Sequence, residues 1–383
     1  MTKLEELIQK LCPNGVEHKP LNEVSEMKRG TSITKKDIVE GEIPVVSGGR
    51  EPAYYCDKYN RDGETITVAG SGAGAGYVQY WTKPIFVCDA FSIQGNPGIQ
   101  TKYIYYFLTN IQDYIYSTKK GGGVPHVHIS SIENVSVPVP PLPVQREIVR
   151  ILDNFTELTA ELTAELTARK KQYAYYRDKL LSTNNSSVPV VELRDIVKKS
   201  CSGATPAKGN AEYYENGTIP WIRTQDVRFN EITEVNSYIT EKAVSETATK
   251  WIPENCVIVA ISGATAGRCA INKIKATTNQ HCLNLIIDDS MALYRYVFHC
   301  LCSKYEELIS RKQGARGDLN SSLILSLPIP IPSLEVQKRL VEVLDNFDAI
   351  CSDLKIGLPA EIEARQKQYE YYRDKLLTFT PAD

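Results

Sequence analysis

The chain lacks the features that would carry it into or across a membrane. No run of about 18 apolar residues, the length of a membrane span, occurs in its 383 residues. The first segment, Met1–Lys10, mixes acidic and basic side chains and contains no apolar core of a signal peptide. We therefore expect the chain to act in the cytoplasm.

The sequence also lacks paired cysteines. None of its ten cysteines forms a Cys-x-x-Cys pair, and the closest two are Cys300 and Cys302. Zinc sites usually combine such closely spaced pairs. Scattered cysteines in a chain of this length are typical of reduced thiols in the cytosol. We therefore expect free thiols and no metal site.

A strong charge of either sign is missing as well. The formal net charge is -2 and the pI is about 6.3, which excludes a protein that coats DNA through bulk positive charge. DNA binding through one locally basic surface stays possible. With 42% hydrophobic and 23% charged residues, the composition is that of an ordinary globular protein, and the length fits two or three domains.

Common catalytic motifs are absent. The sequence has no G-x-x-x-x-G-K-[ST] phosphate loop and no G-x-S-x-G nucleophile turn. It also has no Asn/Asp-Pro-Pro-Tyr/Phe tetrapeptide of adenine methyltransferases. We therefore expect no catalytic residues in this chain.

The strongest positive feature is an internal repeat. Val144–Phe155 recurs as Val336–Phe347, an offset of 192 residues, and both copies follow a Pro-x-Pro lead-in. Lys171–Leu181 recurs as Lys367–Leu377 with one substitution, at an offset of 196. The second copy therefore carries four more residues between its two blocks.

The repeated segments read as long amphipathic helices. Apolar residues recur at spacings of three and four, and Glu-Leu-Thr-Ala occurs three times within Glu157–Ala168. In the second copy, Gly357-Leu358-Pro359 interrupts the pattern, and proline in a helix interior costs about 3 kcal/mol. We expect a kink or break there, with Pro359 opening a new helix. We expect the two long helices to bury their apolar stripes against each other, antiparallel, as a coiled coil.

Two diverged domains alternate with these helices. Short β-like runs mixed with a helical segment predict an α+β fold for each, arranged as a pseudo-twofold internal repeat. The predicted boundaries are 1–142 for the first domain (with an N-terminal helical stub), 143–182 for the first helical segment, 183–332 for the second domain and 333–383 for the second helical segment.

Together these motifs resemble the specificity subunit of type I restriction–modification systems. The resemblance rests on Val-Gln-x-x-x-Val-x-x-Leu-Asp, on the Glu-Leu-Thr-Ala repeats and on Lys-Gln-Tyr-x-Tyr-Tyr-Arg-Asp-Lys-Leu-Leu. It implies that each variable domain reads half of a bipartite site in double-stranded DNA. It also implies that the helices set the spacer and dock two methyltransferase subunits. S-adenosylmethionine, ATP and Mg²⁺ would then belong to the methyltransferase and restriction subunits, with no cofactor in this chain.

The candidate DNA-binding residues lie on glycine-rich and basic segments, because backbone amides, Lys and Arg suit phosphates while Arg and Gln suit base edges. An ordinary turn or solvated loop remains the alternative for each. The candidates are Gly72, Gly74, Lys119, Lys120, Gly121, Gly122, His126, Arg223, Gln225, Arg228, Arg311, Lys312, Gln313 and Arg316.

Candidates for spacer packing and partner docking follow the apolar stripes and the repeated blocks. They are Gln145, Leu152, Phe155, Leu158, Leu162, Leu166, Tyr173, Tyr176, Gln337, Leu344, Phe347, Tyr369 and Tyr372.

Two other functions stay open. The segment Gly70–Gly76 resembles a nucleotide-binding glycine motif, which would fit a self-contained methyltransferase that binds S-adenosylmethionine. Tyr77–Trp81 after it reads as a strand, so no helix N-terminus would face a phosphate. A coiled-coil assembly scaffold without a nucleic-acid role is the third possibility.

Overall fold

The chain is described here from a computed structural model. The described residues are 2–33, 39–182, 187–312 and 318–382. Contacts divide the chain into two compact units, one formed by Met1–Ala164 with Glu361–Asp383 and the other by Glu165–Ala360. Each unit therefore combines a globular domain with parts of the long helices.

The first unit begins with a helix and continues through short strands to a pair of helices. Its strands are β1 (His18–Pro20), β2 (Ser25–Arg29), β3 (Ile43–Val46), β4 (Tyr54–Cys56), β5 (Thr65–Ala69), β6 (Val78–Trp81), β7 (Phe86–Val87), β8 (Ala90–Gly95) and β9 (Ser136–Pro138). Its helices are α1 (Lys3–Leu11), α2 (Leu21–Val24), α3 (Thr101–Asn110), α4 (Gln112–Ser117) and the start of α5 (Leu142–Leu180).

The core of the first unit lies between a sheet and a helix. β2, β8, β5 and β6 form an antiparallel sheet in that order, and β4, β3 and β7 form another. β5 is buried along its whole length because it lies between β8 and β6. Tyr103, Ile104 and Leu108 of α3 pack into the same core.

The second unit repeats this plan with more strands. Its strands are β10 (Val190–Glu192), β11 (Val197–Ser202), β12 (Ile219–Ile222), β13 (Glu231–Ile232), β14 (Tyr238–Ile239), β15 (Trp251–Ile252), β16 (Val257–Ala260), β17 (Cys269–Asn272), β18 (Ala276–Thr278), β19 (Cys282–Ile287) and β20 (Pro328–Pro330). Its helices are α6 (Glu241–Glu246), α7 (Tyr294–Ser303), α8 (Tyr305–Ser310), α9 (Ser321–Leu325) and α10 (Leu334–Ser352). They are followed by α11 (Leu358–Leu377), which lies mostly in the first unit.

The sheets of the second unit run β11-β19-β16-β17-β13 and β14-β12-β18-β15. α7 packs against β16 and β17 through buried Tyr296, Val297 and Leu301. The position of α7 on its sheet therefore corresponds to that of α3 in the first unit.

Each unit contains one parallel strand pair that matters for the site. β3 pairs with β7 in the first unit, and β12 pairs with β18 in the second. Since the carboxyl ends of parallel strands meet at the same edge of a sheet, the loops that follow these strands are neighbours.

Helix α5 begins at Leu142, within the proline-rich lead-in, and continues without a break for 39 residues, about 58 Å at 1.5 Å per residue. Its threonine hydroxyls bond within the helix. Thr159 donates to the carbonyl of Phe155 at 2.9 Å, and Thr163 donates to that of Thr159 at 2.8 Å. Two threonine hydroxyls of the Glu-Leu-Thr-Ala repeat are therefore satisfied by backbone carbonyls of their own helix.

The expected break in the second copy is confirmed. α10 ends at Ser352 and α11 begins at Leu358, with Pro359 in its first turn. The Asp353 carboxylate accepts the amide of Lys355 at 2.6 Å, which fixes the turn between the helices. A Cβ on Gly357 would lie 2.5 Å from the carbonyl oxygen of Ala349, so the chain approaches itself closely there.

The mixed helices and strands agree with the predicted α+β class. The coiled-coil pairing of the long helices and the pseudo-twofold arrangement stay predictions, as do the four domain boundaries. None of the described helices is long and apolar enough to cross a membrane.

Candidate nucleic-acid interface

In the first unit, a glycine turn follows the buried strand β5. Gly72 and Gly76 have positive φ angles of 79° and 84°, which favour glycine. A Cβ on Gly74 would lie 2.4 Å from the carbonyl oxygen of Gly48, in the loop after β3. β6 follows the turn, as the sequence predicted, so this segment lacks the helix of a nucleotide-binding motif.

The basic loop lies directly against this glycine turn. The amide of Gly72 donates to the carbonyl of Pro125 at 3.0 Å, and the amide of Val127 donates to that of Gly70 at 3.0 Å. Lys120 and His126 exchange backbone hydrogen bonds of 2.9 and 2.8 Å, which close the loop on itself. Two candidates that lie about fifty residues apart in the sequence therefore form one surface.

That surface is polar and mostly exposed. A Cβ on Gly122 would meet nothing within 4 Å, whereas one on Gly121 would lie 2.7 Å from the carbonyl oxygen of Val124. The ammonium of Lys119 lies 4.3 Å from the ring centre of Tyr116. Asp89 follows β7 and accepts a hydrogen bond from the hydroxyl of Ser71 in the glycine turn. The surface thus combines cationic groups with one fixed carboxylate.

An arginine missed in the sequence analysis lies on the neighbouring loop. Arg50 follows β3, is exposed, and places its guanidinium 5.0 Å from the ring centre of Tyr77. The amide of Cys88 donates to the carbonyl of Val46 at 2.8 Å, which joins the loops after β3 and β7. The loop that carries Arg50 therefore adjoins the one that carries Asp89.

The second unit brings the equivalent segments together in the same way. The amide of Leu319 donates to the carbonyl of Ile261 at 2.7 Å, as Val127 does to Gly70. The glycine turn after Ile261 has positive φ angles at Gly263 (72°) and Gly267 (90°). The exit of the basic loop and the glycine turn are therefore adjacent in both units.

A groove of about 670 Å³ opens beside this region of the second unit. The amide of Asn279 donates to the carbonyl of Ile222 at 3.0 Å, joining the loops after β12 and β18. These loops line the groove with side chains that can bond base edges or phosphates. The polar lining residues include Thr205, Lys208, Arg223, Asn236, Gln280 and His281.

Arg223 occupies a defined position in this groove. Its backbone amide donates to the carboxylate of Asp226 at 2.8 Å, and its guanidinium lies 5.9 Å from the ring centre of Trp221. Its Nε is buried and has no hydrogen-bond partner among the described residues. Gln225 and Arg228 are exposed next to it, and the Nε of Arg228 donates to the carbonyl of Gln225 at 2.6 Å.

The remaining candidates of the second unit lie at the edge of the described chain. Arg311 forms an ion pair with Glu307 on α8, and Lys312 follows it. Gln313 and Arg316 lie outside the described residues.

Lys208, Gln280 and His281 were missed along with Arg50 and Asp89. Asp89, Gln280 and His281 lie in the first few residues after β7 and β18, which are strands of the parallel pairs. Polar residues immediately after short apolar runs are the only sequence signal for them, and that signal is common in loops.

The residues predicted for spacer packing and docking fall into two groups. Gln145, Leu152, Gln337 and Leu344 are buried inside their own units. Leu158, Tyr176 and Tyr372 are exposed, and the others are half-buried, namely Phe155, Leu162, Leu166, Tyr173, Phe347 and Tyr369. A role in docking stays a prediction for all of them, and the buried group has no exposed side chain to offer a partner.

A repeated aspartate attaches each domain to its long helix. Asp153 of α5 accepts hydrogen bonds from Lys102 and Tyr106 of α3. Asp345 of α10 accepts them from Arg295 and, at 2.7 Å, from His299 of α7. Burial would raise the pKa of Asp345, but the hydrogen bonds from His299 and Arg295 outweigh it and hold the pKa below its ordinary value.

The aromatic residues at the helix ends also make matching contacts. The rings of Phe155 and Tyr372 lie 5.5 Å apart in the first unit, and those of Phe347 and Tyr176 lie 6.4 Å apart in the second. Both pairs join the start of one repeat copy to the end of the other. The repeated blocks therefore form the same helix-to-helix contact twice.

A family model described as the type I restriction modification DNA specificity domain matches residues 13–169 and 185–364. The chain belongs to this family. The Escherichia coli type I restriction enzyme EcoR124I/EcoR124II specificity subunit is 39% identical over 291 residues, covering 73% of this chain and 70% of that protein. A putative type I restriction enzyme specificity subunit of Haemophilus influenzae is 29% identical, with 99% of each chain covered.

Solved structures share the fold of this specificity subunit. The S subunit of a type I restriction–modification system from M. genitalium matches with a TM-score of 0.61 at 17% identity, covering 94% of this chain and 96% of that one. The sequence-based prediction of a DNA sequence-specificity subunit that is not itself an enzyme is confirmed by the family and by the names of its relatives. The methyltransferase and scaffold alternatives are not favoured.

Proposed function

We propose that each unit of this specificity subunit reads one half of a bipartite site in double-stranded DNA. The observation that carries the proposal is the repeated loop cluster, in which a glycine turn and the exit of a basic loop meet in both units. The frame of the cluster is the same, but the side chains on it differ. A shared frame with different polar groups suits two readers of different sequences.

The groups on each cluster suit different contacts. Lys119, Lys120 and the free amides of the glycine loop fit phosphate oxygens, which position a protein on DNA without reading its sequence. Arg223 and Gln280 fit purine edges in the major groove. We assign base reading in the second unit to the groove of these two side chains.

Helix α5 begins in the first unit and ends in the second, so we assign the spacing between half-sites to its length. Each Glu-Leu-Thr-Ala unit is about 6 Å of helix, compared with about 3.4 Å per base-pair step. Deletion of one unit should shorten the unspecified spacer by one or two base pairs and leave both half-sites unchanged.

The catalytic steps belong to partner subunits in this proposal. Two methyltransferase subunits would bind S-adenosylmethionine and methylate adenine, and restriction subunits would add cleavage that depends on ATP and Mg²⁺. The complex would act in the cytoplasm. The specificity subunit contributes only DNA recognition and assembly.

Methylome sequencing of cells that express the chain with its methyltransferase tests these assignments. We expect Arg223→Ala and Gln280→Ala to alter one half-site only, and a Glu-Leu-Thr-Ala deletion to alter the spacer only. Lys367→Ala on α11 serves as the control and should leave the methylated site unchanged. A groove variant that changes both half-sites, or a deletion that leaves the spacing intact, would overturn the corresponding assignment.

A further inference from the structure

Asp89 and His281 occupy the same position in the frames of the two units. The amide of Gly70, directly after β5, donates to the carbonyl of Asp89 at 3.0 Å. The amide of Ile261, directly after β16, donates to the carbonyl of His281 at 2.9 Å. Both residues lie in the loop after the second strand of a parallel pair, β7 or β18. The two side chains therefore start from equivalent points of the loop clusters.

The hydrogen-bonding groups around this position differ between the units. In the second unit, Arg223 directly follows β12, and its Nε is buried without a partner among the described residues. Gln280 and His281 share the groove with it, and all three side chains can donate hydrogen bonds. In the first unit, Ser47 stands directly after β3, and Asp89 carries a carboxylate, which only accepts hydrogen bonds. Position 89 therefore requires a donor on the DNA.

The Asp89 carboxylate is held in one direction and still open to a ligand. The hydroxyl of Ser71, in the glycine turn, donates to its Oδ2. This is the only hydrogen bond of the carboxylate among the described residues, and Asp89 is exposed, so Oδ1 can accept another. A Cβ on Gly70 would lie 3.2 Å from Oδ1, so the glycine leaves room for this orientation. The acceptor is therefore positioned before any ligand binds.

The carboxylate lies on an otherwise basic surface. A cleft of about 190 Å³ opens beside it, and Arg29, His126 and His128 also line this cleft. Asp89 is the one carboxylate among the described residues that line it. Arg29 is exposed and suits a phosphate oxygen, but a carboxylate repels phosphates. A contact of Asp89 with the duplex is therefore a contact with a base edge.

We propose that Asp89 selects cytosine at one position of the half-site that the first unit reads. In the major groove, cytosine presents its N4 amino group as a donor, whereas guanine presents acceptors and thymine presents an acceptor and a methyl group. Adenine presents an amino donor beside the N7 acceptor, which would face the second carboxylate oxygen. Cytosine thus matches a side chain that only accepts. This inference rests on the proposed function, because it requires that the first unit reads DNA.

Exchange of the carboxylate for an amide tests the assignment. Asp89→Asn keeps the shape of the side chain and adds a donor, so it can bond N6 and N7 of adenine together. Methylome sequencing of cells that express the variant with the methyltransferase subunits should show adenine in place of one cytosine. The change should fall in the half-site that Arg223→Ala leaves unaltered. In binding assays with the purified complex, the unchanged chain should prefer the cytosine duplex over the adenine duplex about tenfold, and Asp89→Asn should reverse this preference.

Three further variants separate base reading from a structural role. Asp89→Ala should accept any base at that position, and Ser71→Ala should weaken the preference for cytosine there without affecting other positions. Asp57→Asn is the matched control. Asp57 is also exposed, but it follows Cys56, which pairs with Ile43 at the start of β3, so it lies at the opposite edge of the sheet from Asp89. Asp57→Asn should leave the methylated site unchanged.

Three results would overturn the inference. They are a first half-site without a G·C pair, an Asp89→Asn complex that still prefers cytosine, and a variant complex that loses affinity equally for all four bases at that position. The last result would show that Asp89 only supports the glycine turn, and circular dichroism of each variant checks that the chain is folded. If Arg223→Ala and Asp89→Asn alter the same half-site, the proposed function itself fails. If Arg223→Ala alters one half-site and Asp89→Asn alters neither, only the role of Asp89 is refuted.

Discussion

Gln145 and Gln337, at equivalent positions of the two repeat copies, make the same hydrogen bonds in their units. The side-chain oxygen of Gln145 accepts the amide of Gln100 at 2.9 Å, and its NH2 donates to the carbonyl of Pro140 at 2.8 Å. Gln337 accepts the amide of Leu293 at 2.9 Å and donates to Pro332 at 2.9 Å. Each glutamine thus ties the start of a long helix to the loop before a domain helix.

Replacing either glutamine with leucine should destabilise its own unit. The substitution leaves a buried amide and a buried carbonyl without a partner, at a cost of about 1–3 kcal/mol. Urea unfolding is followed by tryptophan fluorescence. For Gln145→Leu, Trp221→Phe and Trp251→Phe leave Trp81 as the reporter of the first unit. For Gln337→Leu, Trp81→Phe leaves Trp221 and Trp251 as reporters of the second unit. Exposed Gln366→Leu is the control, with an expected change within about 0.5 kcal/mol. Equal effects on both units would contradict the local role of each glutamine.

The stability of the first unit should fall in acid because of Glu147. Hydrogen bonds from Arg150 and Lys3 lower the pKa of Glu147 to about 2 from an ordinary value of 4.5. A carboxyl with a depressed folded-state pKa stabilises the fold above its unfolded-state pKa, and this contribution is lost as the pH falls from about 4.5 towards 2. The urea midpoint of Glu147→Gln should therefore fall less steeply than that of the unchanged chain between about pH 5 and pH 3, where Glu147 begins to lose its stabilising charge. Lys3→Met should flatten it partly, and an unchanged slope in both variants would disprove the assignment.

The glycine turn of the first unit should tolerate no side chain at Gly74. A Cβ there would meet the carbonyl of Gly48 at 2.4 Å, so Gly74→Ala must push the loops after β3 and β5 apart, at a cost of about 1–3 kcal/mol. We expect a lower melting temperature and weaker DNA binding by the complex. Gly122→Ala is the matched control for the melting temperature alone, because a Cβ at that position meets nothing within 4 Å. Equal melting temperatures of the two variants would show that the loops do not need this close approach.

Lys119 and Lys120 should act through phosphates. Each alanine variant should weaken binding of the target duplex similarly for all sequence variants of the site and reduce the slope of log K against log salt by about 1. The measurement is a salt titration of DNA binding by the complex with the methyltransferase subunits. Lys367→Ala is the control, since its ammonium pairs with Glu363 on α11. A loss confined to particular bases would instead indicate direct reading of the sequence.

The helices were predictable from the sequence because their signals are local. Spacings of three and four residues fixed α5 and α10, and Pro359 marked the break between α10 and α11. The glycine turn after β5 followed from a short apolar run and the strand-like residues after it. Each of these features depends on neighbours within a few residues.

The candidate interface was only partly predictable, because it depends on strand pairing between distant segments. β12 and β18 pair in parallel although more than fifty residues separate them, and no local sequence pattern predicts that pairing. Lys208, Gln280 and His281 therefore could not be assigned to the same groove as Arg223. The burial of Gln145 and Gln337 was also not predictable. A polar residue on a helix is expected to be exposed, and only the structure shows the buried backbone groups to which these glutamines bond.

The middle of α5 has a consequence for how such proteins diversify. No residue from Glu157 to Ala168 belongs to the hydrophobic cores of the described units. Gain or loss of one four-residue unit there removes no core contact. Under the proposed assignment of the half-site spacing to α5, unequal copying would create a new spacing in one step, and the fold would be inherited independently of the length of the DNA site.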